Sequence, residues 1–418
     1  MIIFFMSKVS KSTPAITLKI PERNNVKTAR IFATAAAVAL LATSMSACGS
    51  SKNSDSKAKG NQVNVVATTT QICDYVTQIA STADAKSGLS LSKTDSQGKK
   101  SVIGAPQDKA KSTINLTCLL APNASAHEHE MTPAQSKALS KADLMLVSGV
   151  DLEHFLDQAV KATGFKGTMG VTSGILTADE IKDPKAEAAK EKNLPYKIDR
   201  GIAKVHAEKW PFPPEEGEKE PEFQYDPHIW TSTKNTMIQV KNIGNFLGKA
   251  LPGSKTIFDE HVEKFTKSLT DLDSWATEAL NSVPKEHRVL FTSHDAFGYF
   301  SRDYDVKFIG AALSDFNSQQ DATAEHIKQA AEAVKKSGAV ALFAENSNNS
   351  KSIKAVASAA GVKAIIGDDA LYGDSLGPVG SAGETYIGSI VHNVETLVKA
   401  WNGKVPELPD TIKSVLKK

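Results

Sequence analysis

Ser254 to Pro284 reads SKTIFDEHVEKFTKSLTDLDSWATEALNSVP, and within it Phe258, Val262, Phe265, Leu269, Leu272, Ala276 and Ala279 recur at alternating spacings of four and three. That spacing lays one apolar face along a helix. Ser254 is placed to cap it and Pro284 to stop it. About 29 residues at ~1.5 Å each make a rod of ~43 Å. On either side of this rod the sequence changes rhythm. Before it, β-rich runs at Gln62 to Thr68, Asn115 to Ala121 and Leu144 to Ser148 alternate with helical segments at Thr70 to Ala83, Pro133 to Ala142 and Leu152 to Thr163. After it, strands at Arg288 to Thr292, Ala339 to Ala344 and Val362 to Ile366 alternate with helices at Ala324 to Ser337, Ser352 to Ala360 and Thr385 to Trp401. Strands separated by crossover helices predict parallel sheets. The expected fold is α/β: an N-terminal lobe over 62–251 and a C-terminal lobe over 285–418, joined by a rigid linking helix within 252–284. Two stretches interrupt the pattern. Residues 84–113 are rich in Ser, Lys, Gly and Asp and read as a surface insertion. Residues 183–224 carry Pro195, Pro211, Pro213, Pro214 and Pro221 and read as a long loop.

The chain of 418 residues is 41% apolar, 23% charged and 6% aromatic, which excludes a collagen-like or wholly disordered protein. Six of its 49 basic residues and one of its 47 acidic residues precede residue 48, leaving 43 against 46. With no basic surplus, a nucleic-acid partner is not expected.

The terminal residues carry an address. Basic residues from Lys19 to Arg30 precede an apolar run, Ile31 to Thr43, and then Met45-Ser46-Ala47-Cys48-Gly49. The run is shorter than the ~20 residues a spanning helix needs, so 1–47 is read as a signal peptide. Small residues before Cys48 resemble the lipobox of bacterial lipoproteins, although Met45 stands where Leu is usual. An ordinary cleaved signal is the alternative. Lipidated at Cys48, with 48–61 as a flexible tether, the protein would be extracytoplasmic and anchored to the cell membrane without spanning it. Cys73 and Cys118 would then face an oxidising compartment, where a disulfide is expected over two buried thiols.

Ten histidines are present. His154, His261, His326 and His392 fall in helical segments, and His206 and His287 in polar connections; structural or surface roles suit these six. Three others stand apart. His127 lies in AHEHEMTP, in the loop after the strand ending at Ala121; His294 lies in FTSHDAFGYF, directly after the strand ending at Thr292. His228 lies in YDPHIW, at the close of the long loop. Ligands of open α/β sheets gather beyond the carboxyl ends of strands. The strand Val362 to Ile366 leads there too, into GDDALYGDSLG with Asp368, Asp369 and Asp374. Imidazole nitrogen with carboxylate oxygen suits a borderline divalent cation.

At these residues the chain resembles the ZnuA/TroA-like family, the metal-binding lipoproteins of bacterial ABC importers for zinc and manganese. The resemblance runs from about residue 62 to the C-terminus. HEHEMTP followed by KADLMLVSGVDLE, then YDPHIW, SHDAFGYF and GDSLGPVGSAGETY, are similar to the four ligand motifs of that family. The resemblance implies His127, His228, His294 and Asp374 as ligands. His129 stands where the family usually has an aromatic residue and is kept in reserve for His127, as is Asp369 for Asp374. Glu345, matching a family glutamate, is read as structural. The loop over 183–224 occupies the place of a histidine-rich loop in some zinc-binding members but holds only His206, so no metal-gathering role is expected of it. A histidine in the third position resembles the zinc-type members, and three nitrogens with one carboxylate suit Zn²⁺ better than Mn²⁺, which remains the alternative.

The implied function is capture of a divalent cation and its delivery, by a monomer, to an ABC permease whose separate ATPase powers import. No GxxxxGK[ST] loop occurs in this chain, so nucleotide hydrolysis belongs to another subunit. An enzyme is not expected: a metallohydrolase would need an open coordination position and a general base, and no HExxH or GxSxG motif supports one. A lipid-anchored adhesin is the remaining rival.

Overall fold

A computed structural model of the chain describes residues 61–81, 85–214, 219–221, 223–310 and 323–416. The signal peptide and Cys48 lie outside the described residues, as does the tether up to its last residue. Asn61, assigned to that tether, already begins the first strand.

β1 (Asn61–Ala67) buries Val63, Val65, Val66 and Ala67, and a strand apolar on both faces belongs in the middle of a covered sheet. Thr69 caps α1 (Thr70–Ala80), accepting from the Ile72 N–H. The chain continues through β2 (Leu89–Thr94), β3 (Lys100–Gly104), β4 (Ser112–Cys118), α2 (Pro133–Leu139), β5 (Leu144–Val147), α3 (Leu156–Thr163), β6 (Thr168–Val171), α4 (Ala178–Lys182), α5 (Pro184–Glu191) and β7 (Lys197–Asp199). The seven strands form one sheet in the order β3-β2-β4-β1-β5-β6-β7. Every pairing is parallel except β2 with β3.

Both presumed insertions need correction. Residues 84–113 are not a surface excursion: β2 pairs along β4, and Leu89 and Leu91 are fully buried. A tight turn, in which Asp95 Oδ1 accepts from the Gln97 and Lys99 N–H groups, sends β3 back along the edge. Residues 183–224 are not one long loop: they begin as helix α5, capped by Asp183, and then supply edge strand β7. α3 starts at Leu156 rather than Leu152, because Val150 and Asp151 take positive φ in a turn before it.

Next come α6 (Thr233–Ala250) and α7 (Lys255–Asn281), which pack closely together. The expected rod is α7, about 40 Å long at 1.5 Å per residue. Its stripe of Phe258, Phe265, Leu269, Leu272, Ala276 and Ala279 is buried, each large side chain contributing ~1.5–3 kcal/mol of apolar burial. Ser254 occupies the N-cap but makes no side-chain cap hydrogen bond; a short 3₁₀ turn, Pro252–Ser254, leads into the helix instead.

The second half comprises β8 (Val289–Leu290), α8 (Gly298–Asp303), β9 (Lys307–Phe308), α9 (Ala324–Ser337), β10 (Ala341–Phe343), α10 (Lys351–Ala360), β11 (Lys363–Ile365), α11 (Tyr386–Ala400) and α12 (Asp410–Leu416). β8 pairs with β9 and β10 with β11, all parallel, and a bridge from Thr292 to Phe343 joins the two pairs. Ala330, Val334, Ile353 and Val356 of α9 and α10 pack with Leu342 in one cluster. Phe343, Ile365 and α11 join the larger core that reaches through α7 to β1. α7 touches α1 as well as α11 and α12, so the long helix is packed from both sides.

Candidate metal site

The parallel strands of each sheet release their loops where the two halves meet. β4 ends at Cys118 and its loop carries His127; β8 leads to His294; the segment after β11 carries Asp374; and His228 precedes a 3₁₀ turn, Ile229–Thr231, that opens α6. Four separate segments thus bring one donor each to a common point. Their ligand atoms all lie within 4.8 Å of one another. Asp374 Oδ1 is 3.7 Å from His127 Nε2, 3.7 Å from His228 Nε2 and 3.4 Å from His294 Nδ1. His127 Nε2 and His228 Nε2 are 3.0 Å apart. An ion with tetrahedral bonds of ~2.0–2.1 Å sets its donors about 3.3 Å apart, so the spacing suits one small cation. Asp374 Oδ1 is buried, makes no normal hydrogen bond and faces three imidazoles, so its charge is one that a cation would help to balance.

Neighbouring groups orient these donors. Asp226 Oδ1 accepts from both the backbone N–H of His228 (2.9 Å) and its Nδ1 (2.8 Å), which fixes the tautomer with the Nε2 lone pair aimed at the other three residues. Tyr299 in turn donates its hydroxyl to the Asp226 carbonyl. Ser125 donates to Asp374 Oδ2 (2.8 Å) and accepts from the His127 N–H (3.2 Å), leaving Oδ1 directed inward. Glu345, fully buried, lies 3.4 Å from His294 Nδ1. It needs the space left by Gly373, where a Cβ would collide with its Oε2. The glutamate read as structural therefore touches one of the four donors.

Burial lowers the affinity of His228 for a proton, and the partner Asp226 offsets this only in part. His294 behaves oppositely: burial would lower it, but Asp374 and Glu345 together push it up to about 10. Burial alone would raise Asp374, yet the His294, His127 and His228 imidazoles outweigh it and hold the carboxyl well below the usual range. Without a cation, His294 and Asp374 form a buried ion pair beside a neutral His228.

The structure does not bring the two reserve residues into this group. His129 packs edge-on against Phe155, and Asp369 is exposed in a 3₁₀ turn. His206 is exposed beside Glu208, His261 meets the Ile79 carbonyl, and His392 meets that of Ala370. Sequence reasoning passed over Asp226, although a carboxylate two residues before a histidine was a readable signal. It also passed over Trp210 and Phe223, aromatic residues of the proline-rich loop. Phe223 lies 5.3 Å from His127 and Trp210 6.0 Å from His228, ring to ring, so this loop walls the site.

Cys73 of α1 and Cys118 at the end of β4 are joined as a disulfide, with Cα atoms 5.6 Å apart. Closing a loop across a sequence separation of 45 stabilises by ~4 kcal/mol in the chain-entropy account.

A family model described as ZnuA, zinc-uptake complex component A periplasmic, matches residues 107–400. The zinc-binding protein TroA of Treponema pallidum is 27% identical over 303 residues, covering 72% of this chain and 85% of the relative. The manganese-binding lipoprotein MntA of Bacillus subtilis is 26% identical over 368 residues, covering 87% and 97%. In fold, the solved structure of the periplasmic zinc-binding protein TroA from Treponema pallidum superposes with a TM-score of 0.57 at 24% identity, covering 81% of this chain and 99% of that one.

Proposed function

From the premise that this chain belongs to the ZnuA family, and is a metal-binding component of an ABC importer rather than an enzyme, we propose that its cargo is Zn²⁺ held by His127, His228, His294 and Asp374. The observation that carries this reading is the buried Asp374 Oδ1 within reach of three imidazole nitrogens. Three nitrogens and one carboxylate form a closed tetrahedral set with no position left for a reactive water, which suits carriage rather than hydrolysis. Mn²⁺ favours oxygen-rich surroundings and is the weaker candidate.

Importers of this kind work through a membrane permease and an ATPase, and the loaded protein hands its ion to that permease. In the proposed cycle the segments 62–251 and 285–418 act as two lobes about the 252–284 link. The first supplies His127 and His228, the second His294 and Asp374. We further propose that the protein is a monomer tethered outside the cytoplasm through lipid on Cys48. Cys48→Ala should release it from membranes into the soluble fraction, and continued membrane attachment would refute the anchor. Equilibrium dialysis against zinc and manganese with elemental analysis tests the cargo. One zinc per chain, retained over excess manganese, is expected; preferential retention of manganese, or of neither, would overturn the assignment.

A further inference from the structure

The site is tied to the rest of the fold by a helix that carries none of its donors. The first turn of α1 reaches the backbone on both sides of Asp374. Gln71 Nε2 donates to the Asp374 carbonyl (3.1 Å), and Thr70 Oγ1 accepts from the Leu376 N–H (2.8 Å) while donating to Gln71 Oε1 (3.1 Å). These bonds close a ring around Ser375, and Thr70, Gln71, Asp374 and Leu376 are all buried. One residue beyond Cys73, Asp74 accepts from the Tyr386 N–H at the start of α11 (2.9 Å), so α1 also grips the far end of the aspartate loop.

The same turn is covalently joined to the other half of the site. Cys73, two residues after Gln71, is bonded to Cys118, the last residue of the strand from which the His127 loop departs. That loop returns to the aspartate through Ser125, which donates to Asp374 Oδ2, and through the Asn123 N–H, which donates to the Leu376 carbonyl. A closed circuit results: disulfide to α1, α1 to the Asp374 backbone, Asp374 to Ser125, and Ser125 along the loop back to Cys118. A group held by a closed circuit has fewer positions to explore before it binds, which lowers the ordering cost of binding.

We infer that the Cys73–Cys118 bridge, acting through Thr70 and Gln71, is a positioning device for the cation site, fixing the Asp374 loop relative to the His127 loop. It deepens the proposed function and rests on that assignment of the four donors. None of the three parts touches the cation. Their effect is on how long it is held.

The test is a cycle on the full chain, with zinc release followed by transfer to a chromophoric chelator. Cys73→Ser/Cys118→Ser should speed release about tenfold, and Gln71→Ala by a similar factor. Combining them should add little, because both cut one circuit. A bridge that only stabilised the fold would lower the melting temperature of the metal-free chain while leaving release unchanged, and that result overturns the inference. Fully additive effects overturn it too. Should the chain without the bridge fail to fold, Thr70→Val and Gln71→Ala with the bridge intact decide the matter, since unchanged release in both refutes the circuit. If the parent chain itself retains no zinc, the underlying donor assignment fails and takes this inference with it; a parent that binds alongside variants that release equally slowly sinks the circuit alone.

Discussion

The two halves of the site hold their donors by different means. His127 and His228 come from the half built on seven strands, and hydrogen bonds from outside the site fix them: Ser125 accepts from the His127 backbone N–H, and Asp226 accepts from His228 Nδ1. His294 and Asp374 come from the half built on strands of two or three residues, and they face each other as opposite charges. In the first pair, Asp226 leaves His228 with its Nε2 lone pair turned towards an incoming cation. The second must first surrender a proton. Loading should therefore be limited by geometry on one side and by protonation on the other.

Three experiments probe that contrast. Replacing His228 with Ala removes a proposed donor outright and should weaken zinc binding by orders of magnitude, beyond the ~10–100-fold cost of losing an outer partner. The fold should survive, because α6 is capped independently by Ser232. Competition against a chelator of known affinity measures it, and an unchanged constant would remove His228 from the site. Asp226→Asn keeps the shape, and its amide oxygen can still accept from Nδ1–H, but without the carboxylate charge the imidazole becomes a weaker ligand; a loss of ~10–100-fold is expected. An effect as large as that of His228→Ala would mean that Asp226 does more than orient.

Protonation separates the halves most cleanly. With His294 held up at about 10 in the cation-free protein, zinc must displace a proton throughout the neutral range. Affinity should climb about tenfold per pH unit below that value, and calorimetry in buffers of different ionisation enthalpy should register close to one proton released per ion. A histidine with its ordinary value of ~6.5 would compete only at acidic pH. The same shift has a consequence for stability. A folded pKa raised above the unfolded one stabilises the metal-free chain fully below ~6.5, and this contribution is lost as pH rises towards about 10. Melting temperatures of chelator-treated protein across that window should fall, and a flat profile would contradict the ion pair.

Much of this was readable in the chain because it depended on local chemistry. The stripe from Phe258 to Ala279 is uninterrupted, and the helix follows it. α6 escaped notice for a physical reason. Its buried face includes Asn235, Thr236, Gln239 and Asn242, which look solvent-facing in sequence. In the fold, Gln239 donates to Thr172 Oγ1, and Asn242 to the Thr172 and Ala203 carbonyls. β2 was missed because Leu89 and Leu91 are an alternation too short to stand out among serines and lysines, and only pairing with β4 makes it a strand. The four proposed donors stood out through their motifs, whereas the residues that orient them did not. Ser125 and Gln71 acquire their roles only when segments 249 and 303 residues apart are brought together.

The most direct test is crystallography on protein loaded with zinc, with anomalous data collected on both sides of the zinc edge. A single strong peak about 2.0–2.2 Å from nitrogens of His127, His228 and His294 and from an oxygen of Asp374 is the expected result. A peak elsewhere, or one that leaves any of the four side chains out of bonding distance, would contradict the account.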